Sequence, residues 1–134
     1  MRDADIVALI KHNIEKADDA VIQAEALLKI QQNFGVVNRA YYAIFYSALA
    51  VLLTKGFGSS KRAGVLSLFD REFVKTKEVD TKWSKVFHDA FDLRSKGDYA
   101  RLTKINKNQA ESIIQAAGDF VSWTKKWLQE KGWE

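Results

Sequence analysis

Residues 40–53 read Ala40-Tyr41-Tyr42-Ala43-Ile44-Phe45-Tyr46-Ser47-Ala48-Leu49-Ala50-Val51-Leu52-Leu53, a run in which Ser47 is the only small polar exception. An alternating strand would show polar residues at every second position, and a surface helix would show them on one side, so this run reads as a helix buried on most of its faces. A membrane span is the rival reading. The run has 14 residues where roughly 20 are needed to cross the hydrocarbon, and Arg39 and Lys55 close it at both ends. The expectation is therefore a core helix over about residues 36–55, with no membrane association.

A buried helix needs amphipathic partners, and the flanking sequence supplies them. Over residues 5–32 the apolar positions Ile6, Ile10, Ile14, Ala17, Val21, Ala24 and Leu28 step by three and four, while Lys11, Glu15, Asp18, Asp19 and Glu25 fall between them. Asn33-Phe34-Gly35 reads as the turn that follows. After residue 55, Gly56-Phe57-Gly58 ends the core helix and Ser59-Ser60 can cap the next, a short one carrying Val65, Leu66, Leu68, Phe69 and Phe73. A charged connector over 75–78 leads to Asp80 or Thr81, the start of a fourth helix with Trp83, Val86, Phe87, Ala90, Phe91 and Leu93 inward. That helix is expected to stop near Ser95, because Gly97 follows. Asn106 is the expected cap of a last helix over 107–131, striped by Ala110, Ile113, Ile114, Ala117, Phe120, Val121, Trp127 and Leu128.

The chain has 134 residues, no proline and seven glycines, so little interrupts long helices. The expected architecture is all-α: a single domain over 1–134, an up-and-down bundle of three long helices plus two shorter ones. The sequence has no cysteine, which removes disulfides, thiolate metal sites and thiol nucleophiles and suits a cytoplasmic location. The first residues carry no signal-peptide pattern.

Charge is uneven. Residues 55–107 hold 13 Lys and Arg against 7 Asp and Glu, within a chain of formal net charge +4. A basic middle attracts phosphates, and it is also what an ordinary lysine-rich solvated surface looks like.

Several chemistries fail on inventory. A catalytic zinc site usually draws three ligands from His, Cys and carboxylates, and only His12 and His88 are present; the Glu-x-x-His spacing of helical di-metal sites does not occur. Gly56 and Gly58 are not followed by the Lys-Ser/Thr of a phosphate loop. No cofactor or metal is expected.

Two stretches carry polar chemistry. Asn38-Arg39 opens the core helix just before Tyr41 and Tyr42, where an unpartnered buried guanidinium would cost several kcal/mol, on the order of other unpaired buried ions. A carboxylate from another helix is the expected partner, unless Arg39 extends along the helix start to water. In Phe87-His88-Asp89-Ala90-Phe91-Asp92-Leu93-Arg94-Ser95-Lys96-Gly97-Asp98-Tyr99, Arg94 and Asp98 are four apart and can pair if the helix continues. A guanidinium at a helix end is also a phosphate ligand.

Asn38-Arg39-Ala40-Tyr41-Tyr42 followed by Phe45-Tyr46, then Gly64-Val65 with Phe69 and Phe73-Val74-Lys75, then Phe91-Asp92-Leu93-Arg94 with Gly97-Asp98-Tyr99, resembles the HEPN domain in order and over nearly the whole chain. The resemblance is to small stand-alone HEPN proteins often encoded beside a minimal nucleotidyltransferase. It implies a helical bundle, commonly a homodimer, and a nucleotidyltransferase partner. Nuclease members cut RNA without metal, using an arginine, a polar neighbour and a histidine a few residues later. Arg94 and Ser95 match the first two, but Asp98-Tyr99-Ala100-Arg101 fill the histidine window, and in Ser60-Lys61-Arg62-Ala63-Gly64 a second position where related proteins often have histidine holds Arg62 or Ala63. His88 precedes Arg94 by six residues, about 120° away around a regular helix.

The resemblance therefore implies a non-catalytic interaction protein that partners a minimal nucleotidyltransferase and binds nucleotide or RNA phosphate. Arg94, Asp98, Tyr99, Arg39, Tyr41 and Tyr42 are the candidate ligands. The alternatives are a metal-independent ribonuclease toxin with a departed motif, and a structural scaffold with no ligand. Apolar helix 36–55 and the tryptophans Trp123, Trp127 and Trp133 suggest surplus apolar surface for a homodimer.

Overall fold

The computed structural model describes residues 3–59, 61–99 and 104–133, the side chains of 96–99 excepted. The elements are α1 (Ala4–Lys29), α2 (Asn33–Leu53), α3 (Arg62–Phe69), which continues as a π-helical turn (Asp70–Val74), α4 (Thr81–Tyr99) and α5 (Lys107–Glu130). The chain is all-α, with no strand among the described residues.

The apolar run makes α2 the centre of the bundle, packed against α1, α3, α4 and α5. Val36, Val37, Ala40, Tyr41, Ala43, Ile44, Ala48, Ala50, Val51 and Leu52 are all sealed from solvent, and the one polar exception, Ser47, returns its hydroxyl to the Ala43 carbonyl at 2.9 Å. By length and composition α2 would pass for a membrane span, yet 67% of its most apolar stretch is buried inside the fold, as a core helix requires.

α1 begins at Asp3, whose carboxylate accepts from the Asp5 N–H at 2.7 Å. The predicted stripe holds: Ile10, Ile14, Ala17 and Ala24 are buried, joined by Ala20, and Ile6, Val21 and Leu28 pack at the margin. The turn, however, lies earlier than Asn33-Phe34-Gly35. Gln31 takes the left-handed conformation (φ 60°) and reverses the chain, so Asn33, Phe34 and Gly35 form the first turn of α2. Gly35 serves a close approach instead, since a Cβ there would sit 3.0 Å from Leu27 Cδ1.

At the other end of α2 the glycine signal is accurate. Gly56 has φ 75°, which an L side chain rarely adopts. The serine cap is not formed in the expected way: Ser59 accepts from the Lys61 N–H at 3.1 Å, and Lys61 stands at the N-cap of α3 with no side-chain cap bond. Ser60 lies outside the described residues.

α4 departs most from expectation. It runs through Gly97 to Tyr99 and makes a fourth long helix of 19 residues, leaving only α3 short. A single glycine costs a helix interior only about 1 kcal/mol relative to alanine, too little to end a helix by itself. α5 starts where predicted, with a reciprocal capping box: Asn106 Oδ1 accepts from the Gln109 N–H at 2.8 Å, and Gln109 Oε1 accepts from the Asn106 N–H at 3.0 Å. Its stripe is buried at Ala110, Ile113, Ala117, Phe120, Val121, Trp127 and Leu128.

Aromatic side chains tie the helices together in two groups. Phe69, Phe73, Trp83, Phe120, Trp123 and Trp127 form one; Tyr41, Tyr42, Phe45, Tyr46 and Phe91 form the other. Phe87 joins them, with its ring 6.4 Å from Tyr41 and 5.7 Å from Phe69. Position 87 on α4 thereby fixes the second group, where the charged residues gather, against the core.

Candidate anion site

Three helices each bring one arginine to Tyr42. Arg39 is one turn before it on α2, and its guanidinium carbon lies 5.0 Å from the Tyr42 ring centre. Arg94, from α4, lies 5.4 Å from Tyr42 and 5.5 Å from Tyr41, in the notch of a T-shaped pair whose ring centres are 5.2 Å apart. Arg62, in the first turn of α3, donates from Nη1 to the Tyr42 hydroxyl at 3.3 Å. Guanidinium planes over aromatic faces are attracted by the ring quadrupole, which holds them in place before any ligand arrives.

The Arg39 partner is not a carboxylate. Arg39 Nη1 donates to Gln23 Oε1 at 3.0 Å and Nε to Asn38 Oδ1 at 3.4 Å, both neutral amides. Arg39 is half-buried, so hydrogen bonds and the Tyr42 face satisfy it without quenching its charge. Arg62 is exposed, and its hydrogen bond likewise goes to a neutral group.

Tyr41 lies beneath these groups, fully buried, and its hydroxyl finds no hydrogen-bond partner among the described residues. Burial pushes its pKa up to about 12, against a partial pull downward from Arg62 and Arg94. Tyr41 is thus a neutral phenol throughout the physiological range; it shares Arg94 with Tyr42, the ring that all three arginines touch.

The predicted ligands Arg39, Tyr41, Tyr42 and Arg94 are brought together. The side chains of Asp98 and Tyr99 lie outside the described residues, and with them the expected Arg94–Asp98 pair. Arg62 was not among the expected ligands. The sequence marked it only as one occupant of a position where related proteins often have histidine; its contact with Tyr42 comes from the placement of α3.

No imidazole joins the cluster among the described residues. His88 Nε2 is bonded to Asp70 Oδ2 on the π-helical turn, and Ser84 donates to the other oxygen of Asp70 at 2.6 Å. His12 is exposed on α1. No group of three or more His, Asp or Glu side chains suited to a metal occurs among the described residues. A separate groove of about 410 Å³ runs between α4 and α5, lined by Val86, Ala90, Leu93, Ile113 and Ala116, and none of the three arginines borders it.

The profile of the HEPN domain family matches residues 10–127. Among curated relatives, the chain is 38% identical over 126 residues to a protein named "Putative toxin MJ0605" from Methanocaldococcus jannaschii, covering 94% of this chain and 93% of that one. It is 36% identical over 118 residues to "Putative toxin MJ0142" of the same organism, with 88% and 80% covered. It is 35% identical over 122 residues to a UPF0332 protein of Thermotoga maritima, with 91% and 92% covered. A bundle with this helix order, a match over residues 10–127 and relatives aligned almost end to end place the chain in the HEPN domain family.

Proposed function

We propose that this chain is a phosphate-binding HEPN protein that holds nucleotide or RNA at the Arg39–Arg62–Arg94 cluster without cutting it, and that it is the helical partner of a minimal nucleotidyltransferase. The observation that carries the binding reading is the convergence of three guanidinia from three helices on Tyr42, two of them hydrogen-bonded to neutral groups. Cleavage without metal needs a group that can take and return a proton near neutral pH, and neither described histidine reaches the arginines. The nucleotidyltransferase partner follows from the branch of the family that the chain resembles.

Arg94→Ala is expected to weaken binding of AMP and of a short RNA by roughly tenfold, as loss of a charged hydrogen-bonding group does, while the thermal melt stays nearly unchanged. Calorimetric titration and circular dichroism check the two halves. Unchanged affinity with a large loss of stability would leave Arg94 a packing residue and remove the ligand.

A second reading is a toxin, which the names of the two Methanocaldococcus relatives favour, and the family resemblance would make it a ribonuclease. Purified protein should leave structured and unstructured RNA intact under the first reading. Cleavage that disappears in Arg94→Ala would establish the second.

The chain is also proposed to be a homodimer, on the family resemblance alone. Much of the apolar surface noted in the sequence packs within the chain, with most of α2 and Trp127 buried and Trp83 stacked on Trp123 at 5.0 Å, while Leu9, Ile22, Ile30 and Phe34 stay exposed. Sedimentation at micromolar concentration is expected to give twice the chain mass; a compact monomer would refute the dimer.

A further inference from the structure

We propose that the arginine cluster selects a terminal phosphate, the dianionic monoester at the end of a nucleotide or RNA strand, over the singly charged diester inside a strand. This rests on the phosphate-binding reading above and adds to it the class of phosphate.

The first ground is focus. Arg39 and Arg94 lie 5.0 and 5.4 Å from the centre of one ring, and Arg62 reaches the hydroxyl of that ring at 3.3 Å. Cations that follow a strand are strung along a groove, so that each meets a different phosphate. Gathered about one side chain instead, these three are taken to meet a single phosphate.

The second ground is charge. A phosphomonoester carries about −1.5 to −2 at neutral pH and offers three oxygens, whereas a diester carries a single charge. Coulomb attraction scales with the product of the charges, so every guanidinium in the cluster favours the monoester over the diester, and the preferences add. The contacts that hold Arg39 are with Gln23 and Asn38, and the one that holds Arg62 is with Tyr42. None of these partners is an anion. Tyr41, pushed up to about 12, contributes no negative charge beneath them.

The third ground is access. Arg62 is exposed at the start of α3 and Tyr42 is half-buried, so the outer side of the cluster meets solvent. Guanidinia present planar forks matched to phosphate oxygens, and three from different helices can approach one tetrahedral group from different sides.

The test uses the full chain and one short single-stranded RNA made in three forms: 5′-phosphorylated, 3′-phosphorylated, and with hydroxyls at both ends. Binding is read by fluorescence anisotropy at fixed low salt. At least one phosphorylated form is expected to bind about tenfold more tightly than the hydroxyl form, and the two phosphorylated arms tell which end is taken. Arg62→Ala should bring the three forms within about twofold of one another; because Arg62 is exposed, its melt should match the parent. Equal binding of all three forms by the parent, with Arg94→Ala weakening each alike, would overturn the terminal preference and leave the phosphate-binding reading standing. Absence of binding to all three forms, to AMP and to inorganic phosphate would overturn both. A preference that survives Arg62→Ala intact would remove Arg62 from the site and overturn the three-arginine selection.

Discussion

Phe120→Ala is expected to lower the unfolding free energy by about 3–5 kcal/mol, the range for deleting a fully buried aromatic ring whose neighbours cannot close the gap. Phe120 is sealed from solvent, and its ring lies 5.6 Å from Trp83, 5.9 Å from Phe69, 6.2 Å from Phe87 and 5.4 Å from Trp123. Those neighbours come from α3, α4 and α5 itself. Because α4 and α5 otherwise touch sparsely and leave a groove of about 410 Å³ between them, this ring carries a large part of their union. Trp83 and Trp123 also hold each other rigidly and cannot rotate into the space without losing their stacking. Urea unfolding followed by far-ultraviolet circular dichroism is the appropriate measurement, since tryptophan emission would respond to the lost neighbour directly. The midpoint should fall with the slope unchanged. A loss below about 1 kcal/mol would mean that the aromatic group repacks freely, contrary to close packing.

How far the sequence revealed the molecule depends on the kind of signal. Periodicity is a property of many residues at once, so the stripe on α5 and the enclosed run of α2 survive single errors. Endings depend on one or two residues and are decided by packing. Gly97 is a stop signal that α4 ignores, and Asn33-Phe34-Gly35 is a turn signal that Gln31 pre-empts by taking a left-handed conformation itself. Neither outcome is written locally.

The site was legible by residue type but not by partnership. Arg39, Tyr41, Tyr42 and Arg94 stand out in the sequence because charged and aromatic residues adjoin apolar runs. That Arg39 would meet the amide of Gln23 rather than a carboxylate depends on the rotation of α1 against α2, which hydrophobic stripes fix only coarsely. Arg62 read as an occupant of a lost histidine position, and only the placement of α3 beside Tyr42 makes it a ligand candidate. His88, about 120° from Arg94 around α4, instead meets Asp70 on the π-helical turn, a pairing that the sequence does not announce.

Tyr41 leads to the second large effect, a loss of stability in alkali that Tyr41→Phe should remove. In the folded protein the phenol is pushed from its ordinary value near 10 up to about 12, chiefly by burial, whereas the unfolded chain releases the proton near 10. Between those values the unfolded state binds fewer protons than the native state, so stability falls as pH rises. Below pH 10 both states hold the proton and the contribution is constant. Each unit of separation is worth about 1.4 kcal/mol, so roughly 2–3 kcal/mol should be lost by pH 12. Lysines also titrate in this window, but they do so in both proteins, and the difference between parent and Tyr41→Phe isolates the phenol. At pH 8 the variant should be as stable as the parent or slightly more so, because the hydroxyl has no hydrogen-bond partner among the described residues to lose. From pH 10 to 12 its advantage should widen by the amount just given, read from urea midpoints at half-unit steps. Parallel curves for the two proteins would mean that the phenol is solvated in the native state. A phenol that keeps its proton to about pH 12 adds no negative charge beneath Arg94 and Arg62.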